Sequence, residues 1–284
     1  MYSIQSLIET ALKEDIGSGD ITTDNLVAPD AGGHGVIIAR EKVVIAGLDI
    51  ARRVFEQLDP KIIFKPECKD GDIVLNNGIV LKVEGNLRSL LMGERTALNF
   101  LQHLSGIATY VRSYVNRLAN KKVRLVDTRK TTPGLRVLEK YAVRVGGACN
   151  HRMGLYDGVL IKDNHIAACG GITKAVKHIR NNVSHLIKIE IEVSSLNEVK
   201  EAVEAGADVI MLDNMDLDRI KQSVKYIDGR ALIEVSGRIT IESLNRLADA
   251  GVDIISVGAL THSARSVDLS MRIEGLKKNE HRTD

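Results

Sequence analysis

The sequence predicts an α/β protein: an incomplete, open β/α barrel preceded by an N-terminal α+β domain. Three observations carry this expectation. From Val123 onward short Val/Ile-rich stretches (RLVDT, GVLI, IKIEIEV, DVIML, ALIEV, DIISV) each precede an amphipathic helical stretch, and strands alternating with helices build a parallel sheet. A weak repeat lies within the series. IEVSS at Ile191 and IEVSG at Ile233 each lead through a helix into AGADVIML or AGVDIISV, which favours a barrel, although fewer than eight strands are evident. Finally, 44% of the 284 residues are hydrophobic but only 3% aromatic, with no Trp, so the core is aliphatic, as buried parallel strands require.

The first third reads differently. Residues 6–14 carry Leu7, Ile8, Ala11 and Leu12 on one helical face. GDITTDNLV reads as a turn, residues 36–38, 61–64, 73–75 and 79–83 as short strands, and 48–58 as a helix. A long helix follows, with Ala97, Leu101, Leu104, Ala108, Val111, Val115 and Leu118 stepping by four and three and Gly106 as a weak point. The expected division is an α+β domain over 1–105, the barrel over 106–268 ending in a terminal helix, and a tail over 269–284 that packs on the N-terminal domain. Ser195 with Glu198 is a capping box for the helix at Leu196, which Gly206 ends.

Net charge is +2 overall, but residues 124–165 hold eight Lys/Arg against four Asp/Glu. That balance excludes a strong nucleic-acid or membrane field and places positive charge in the middle of the chain. Three scattered cysteines suit a reducing cytoplasm rather than a disulfide framework or zinc site. Neither a signal peptide nor a membrane span is expected.

In parallel β/α folds functional residues follow the strands. That rule selects Thr128, Arg129 and Lys130 after RLVD; Lys162 after GVLI; Glu190 and Glu192 in IEIEV; Asp213 after DVIML; Ser236 and Gly237 after ALIEV; and Gly258 after DIISV, with His151 and Arg152 in the loop before GVLI. Early strand ends are cationic, later ones anionic and then small. Guanidinium forks and ammonium groups suit a polyanion, carboxylates suit Mg²⁺ or ribose hydroxyls, and Ser-Gly and Gly-Ala ahead of the last helices suit a phosphate at a helix N-terminus. Glu190 and Glu192 share one face of their strand. Residues alone stop at a barrel enzyme for an anionic, phosphorylated substrate.

At these same residues the chain resembles the quinolinate phosphoribosyltransferase family, through EDIGSGDITTD, GERTALNFLQHLSGIAT, DTRKTTPGLRVLEKYAVRVGGACNHRMGLYDGVLIKDNHI, IEIEV, DVIMLDNM, EVSG and ISVGALTHSA. The resemblance implies quinolinate and phosphoribosyl pyrophosphate as substrates, with Mg²⁺. It further implies a homodimer or higher oligomer with shared sites. Arg129, Lys130, His151, Arg152 and Lys162 are implied around quinolinate, Glu192 and Asp213 near ribose and metal, and Ser236, Gly237 and Gly258 at the phosphate. Arg95 is implied to enter a neighbouring subunit's site. Two departures stand out: Arg238 where the family carries a small residue, and Arg265 where it carries Pro. A molybdenum-uptake-associated paralogue, a Schiff-base aldolase using Lys162 and a non-catalytic module stay open beside this reading.

Overall fold

The computed structural model describes residues 4–118 and 121–275. The chain divides into two compact units, one formed by residues 1–110 with 264–284 and the other by 111–263.

In the first unit, α1 (Ile4–Ile16) and α2 (Ile21–Leu26) precede β1 (Gly32–Ala39), β2 (Val43–Val44), α3 (Leu48–Leu58), β3 (Ile63–Pro66), β4 (Ile73–Val74) and β5 (Ile79–Asn86). The segment expected as a turn therefore holds a helix. Asp20 caps it, its carboxylate accepting from the N–H groups of Thr22 and Thr23, both at 3.0 Å, which satisfies the donors that a helix start leaves free. The 31-residue helix α4 (Leu87–Arg117) follows, and the boundary between the units falls within it.

Within this unit, Ser105 and Thr109 of α4 accept from the N–H groups of Ala46 and Val44 at 3.0 and 2.8 Å. Gly106 is a point of close approach rather than a weak point: a Cβ there would lie 2.1 Å from the Arg265 carbonyl oxygen. Arg265 itself is exposed and pairs with Glu41. The terminal helix expected after DIISV spans only Ala259–His262, and no other helix follows it among the described residues. After the second unit the backbone returns as a strand, Leu269–Gly275, antiparallel to β1.

The second unit contains β6 (Arg124–Val126), α5 (Arg136–Gly146), β7 (Val159–Ile161), α6 (Asp163–Cys169), α7 (Ile172–Asn182), β8 (Ile189–Val193), α8 (Leu196–Glu204), β9 (Val209–Asp213), α9 (Leu217–Ile227), β10 (Leu232–Ser236), α10 (Leu244–Asp249), β11 (Ile254–Ser256) and α11 (Ala259–His262). The returning strand Leu269–Gly275 is β12. The six strands pair in parallel in the order β6-β11-β10-β9-β8-β7, so β6 and β7 are both edges and the barrel is open between them. Beside that opening runs the segment after α5, which bridges Val126 through Cys149.

The sequence repeat has a structural meaning. Asp208 opens β9 and accepts from the Ile189 N–H of β8 at 2.7 Å; Asp253 opens β11 and accepts from the Ile233 N–H of β10 at 2.8 Å. Each copy pins the start of one strand to the next and fixes register. The capping box at Ser195 forms as expected.

Gly106→Ala tests the close approach on α4. Helix propensity alone favours Ala by about 1 kcal/mol. The contact with backbone should reverse that sign and cost at least about 2 kcal/mol, read as a lower urea midpoint; an unchanged or raised midpoint would refute the contact.

Candidate active site

Eleven of the expected site residues line one cavity of about 600 Å³ at the C-terminal ends of the strands in the second unit: Thr128, Arg129, Lys130, His151, Arg152, Lys162, Glu192, Asp213, Ser236, Gly237 and Gly258. Arg95 does not. It is exposed on α4 in the first unit.

The cationic wall is positioned by a buried network. Asp127, the residue after β6, and Lys140 on α5 are both 0% exposed and pair at 2.5 Å. The other Asp127 oxygen accepts from Asn150 Nδ2 at 2.6 Å, and the His151 N–H donates to Asp127 Oδ1 at 2.9 Å. Lys140 Nζ also donates to the His151 carbonyl at 3.0 Å. The loop carrying His151 and Arg152 is thus held by charge-assisted bonds. Arg136 does the same for Arg129: its guanidinium donates to the Arg129 carbonyl at 3.3 Å, to Thr131 Oγ1 at 2.9 Å and to the Met153 carbonyl at 3.2 Å.

Like charges crowd this wall. Burial and then the nearby Arg129 charge hold the pKa of Arg152 below the ordinary arginine value, so an anion between them relieves repulsion. Lys162 Nζ pairs with Glu192 Oε2 at 2.7 Å. Asp213 accepts from Asn214 Nδ2 at 2.6 Å.

The small residues have steric reasons. Gly237 has φ +98, and a Cβ there would lie 2.9 Å from the Asn214 backbone nitrogen. A Cβ on Gly258 would lie 2.9 Å from Lys130 Cδ, and Thr261 Oγ1 donates to the Lys130 carbonyl at 2.6 Å. The helix N-terminus expected at the phosphate end forms at Gly258, the N-cap of α11, but not at Gly237. A loop separates Gly237 from α10, which starts at Leu244, and α11 has only 4 residues. The cradle there combines this loop with the start of α11, and Arg238, Ile239, Ala259 and His262 also line it.

Below the cations lies a buried acidic layer that strand-end reasoning placed only in part. His151 Nε2 is 3.0 Å from Glu190 Oε2 and 3.7 Å from Glu234 Oε2. The repeat could have found Glu234, since IEVSG places it where IEVSS has Glu192. Ligand atoms of His151, Glu190 and Glu234 lie within 4.8 Å of one another. The Arg152 backbone N–H donates to His151 Nδ1 at 2.8 Å, so that nitrogen carries a lone pair and the ring proton is on Nε2, facing Glu190. A metal-bound histidine needs the reverse arrangement. The cluster is built to hold protons, and both ring nitrogens of His151 are occupied within the protein, leaving the ring surface for a ligand. Burial opposes an imidazolium here, while Glu190 and then Glu234 outweigh it and raise the pKa of His151.

Glu190 Oε1 and Glu234 Oε1 are buried without a partner among the described residues. Burial, then the Glu190 charge, push Glu234 from 4.5 to about 7.

Comparison with known proteins fits this geometry. Residues 107–272 match the family model of the quinolinate phosphoribosyl transferase C-terminal domain, and residues 20–105 match that of its N-terminal domain. The chain is similar to a Bacillus subtilis protein named probable nicotinate-nucleotide pyrophosphorylase [carboxylating], with 43% identity over 270 residues, 95% of this chain and 93% of the relative. A Synechocystis protein of the same name is 48% identical over 273 residues, 95% of this chain and 92% of the relative. Among solved structures, NadC from Streptococcus pyogenes superposes with a TM-score of 0.92 at 44% identity, covering 96% of this chain and 97% of that one. The nicotinate-nucleotide pyrophosphorylase of Francisella tularensis gives 0.91 at 42% identity, covering 95% and 96%. The chain belongs to the quinolinate phosphoribosyl transferase family.

The raised pKa of Glu234 sets a pH dependence. A protonated Glu234 suits the folded state, so its stabilising contribution is whole below about pH 4.5 and is lost as pH rises through about 7. Glu234→Gln, which cannot ionise, should match the native protein in urea unfolding at pH 4.5. At pH 8.5 it should exceed it by up to about 3 kcal/mol, since each tenfold change in proton affinity is worth ~1.4 kcal/mol. An equal gain at both pH values would show that the carboxyl does not titrate in this window.

Proposed function

We propose that this enzyme transfers the phosphoribosyl group of phosphoribosyl pyrophosphate to the nitrogen of quinolinate, with decarboxylation, giving nicotinate mononucleotide, pyrophosphate and CO₂. Beyond the family itself, the observation that carries this reading is the mutually repelling Arg129–Arg152 pair in a cavity that Lys130 and Lys162 also line. A dianion such as quinolinate neutralises that wall, whereas one carboxylate leaves part of it unpaired.

The chemistry asks for positioning more than for a protein nucleophile. The pyridine nitrogen attacks the anomeric carbon as the bond to pyrophosphate breaks, and pyrophosphate leaves with the electron pair. Glu192 and Asp213 suit the developing positive charge on the ribose. Ser236 and Gly237 after β10 and Gly258 after β11 form the cradle offered to phosphate, and Thr128 lines the same cavity. Loss of CO₂ from the carbon beside the alkylated nitrogen leaves an electron pair that the pyridinium stabilises and a proton quenches. Mg²⁺ fits this site through Glu192 and Asp213 together with substrate phosphates, the set a magnesium ion favours, and would supply charge neutralisation of the leaving group. A Schiff-base role for Lys162 requires a free amine, but its ammonium is engaged by Glu192.

A cytoplasmic homodimer completes the proposal. Three free cysteines suit a reducing compartment. Exposed Arg95, outside the cavity-bearing unit, suits delivery into a neighbouring subunit's site.

Pyrophosphate release measured with quinolinate, nicotinate and nicotinamide should be substantial only with quinolinate; comparable turnover of nicotinate would overturn the substrate assignment. For the shared site, Arg95→Ala and Lys130→Ala dimers should each be nearly inactive. Mixing with subunit exchange should restore about a quarter of wild-type activity, because half the dimers then hold one intact site. A mixture as inactive as its parents after verified exchange would place Arg95 outside its neighbour's site.

A further inference from the structure

The loop after β10 contains a residue that local backbone chemistry does not favour. Arg238 has φ +46, the left-handed region that Gly adopts freely and a long side chain rarely does. The backbone leaves it little choice. Gly237 before it has φ +98 and packs against the Asn214 backbone, and Ile239 after it is buried. An observed outlier of this kind is grounds for seeking a function.

The side chain returns nothing to the fold. Arg238 is exposed and lines the cavity, and it makes no hydrogen bond or ion pair among the described residues. Three carboxylates line the same cavity, Glu192, Asp213 and Glu234. Lys162 engages Glu192 and Asn214 engages Asp213. Glu234 lies in the buried layer with Glu190 and His151. The guanidinium thus stands unpaired among the described residues in the cavity that Ser236, Gly237 and Gly258 also line, with Lys130 packed against Gly258. A planar fork of N–H donors beside such a cradle matches a phosphate dianion in shape and charge.

We propose that Arg238 is an additional binding residue for a phosphate group of the sugar-phosphate co-substrate. This rests on the phosphoribosyl transfer proposed above, and it adds a second cation, besides Lys130, at the end of the cavity that carries Ser236, Gly237 and Gly258. Because the contact is made at an exposed side chain, its effect is moderate and sensitive to salt.

The test uses Arg238→Gly and Arg238→Asn, both at ease with a left-handed backbone, and Arg238→Lys, which keeps the charge. Affinity is measured calorimetrically for ribose 5-phosphate and for inorganic pyrophosphate, each added alone to the purified protein. KM is then measured for both substrates. The Gly and Asn variants should lose on the order of fivefold in affinity for at least one probe and in KM for phosphoribosyl pyrophosphate, with less dependence on ionic strength. KM for quinolinate should stay within twofold, and the Lys variant should retain most of the binding. The melting temperature of Arg238→Gly should not fall, which separates lost contact from lost fold. Loss confined to ribose 5-phosphate assigns Arg238 to the sugar phosphate, and loss confined to pyrophosphate assigns it to the leaving group. Wild-type affinity for both probes in the Gly and Asn variants would overturn the proposal. A native protein that binds both probes but does not turn over quinolinate would instead refute the reaction, not the role of Arg238.

Discussion

The buried ion pair of Asp127 and Lys140 is the interaction on which the rest of the site depends. Taking both charges out of water is costly, and burial raises the pKa of Asp127 against the pull of Lys140. The pair is sustained because both partners are also hydrogen-bonded to the Asn150–His151 segment. Those added bonds turn a costly pair into a specification of backbone path. His151 and Arg152 follow directly from it, and through the Arg152 amide so does the proton on the imidazole. An alternative path for this loop would leave a buried charge short of partners, which is why one geometry prevails.

Charge in the second unit is therefore layered. Cations that can reorient stand where a solute arrives. Beneath them Glu190 and Glu234 are fixed on rigid strands, where burial and then the Glu190 charge raise the pKa of Glu234. The upper layer attracts an anion. The lower one limits how much net positive charge the wall accumulates when the cavity holds no ligand. Neither layer would serve alone, since cations without the acids repel one another and acids without the cations are buried unpaired.

The parallel sheet and most of the cavity were legible because both follow from local pattern: apolar runs, then the residues after them. The repeat even encoded the Asp208 and Asp253 clamps, although only the hydrogen bonds reveal their purpose. What escaped reading depends on partners distant in sequence. Lys140 in LEKYAV looks like a solvated helix lysine, and only the packing of α5 against the end of β6 buries it. Asn150 gains its role from the segment beside β6, bridged to Val126 through Cys149. Ile21–Leu26 lacks an apolar stripe and owes its helix to the Asp20 cap. β12 does alternate, with Leu269, Met271 and Ile273 apolar against Ser270, Arg272 and Glu274, but its partner β1 lies 230 residues earlier (Ala39 with Leu269), so only the fold shows what it pairs with.

That last pairing has a consequence for how the protein comes into being. β1 has β5 on one side and β12 on the other, and Ala39 of β1 pairs with Leu269 of β12. During synthesis at roughly 5–20 residues per second, one edge of β1 stays open for about 10–50 s while the intervening chain is made. An open strand edge invites pairing with another chain. The first unit is thus the earliest sheet to begin and the last to close, and a ribosome that stalls within the second unit leaves behind an exposed edge, not a finished domain.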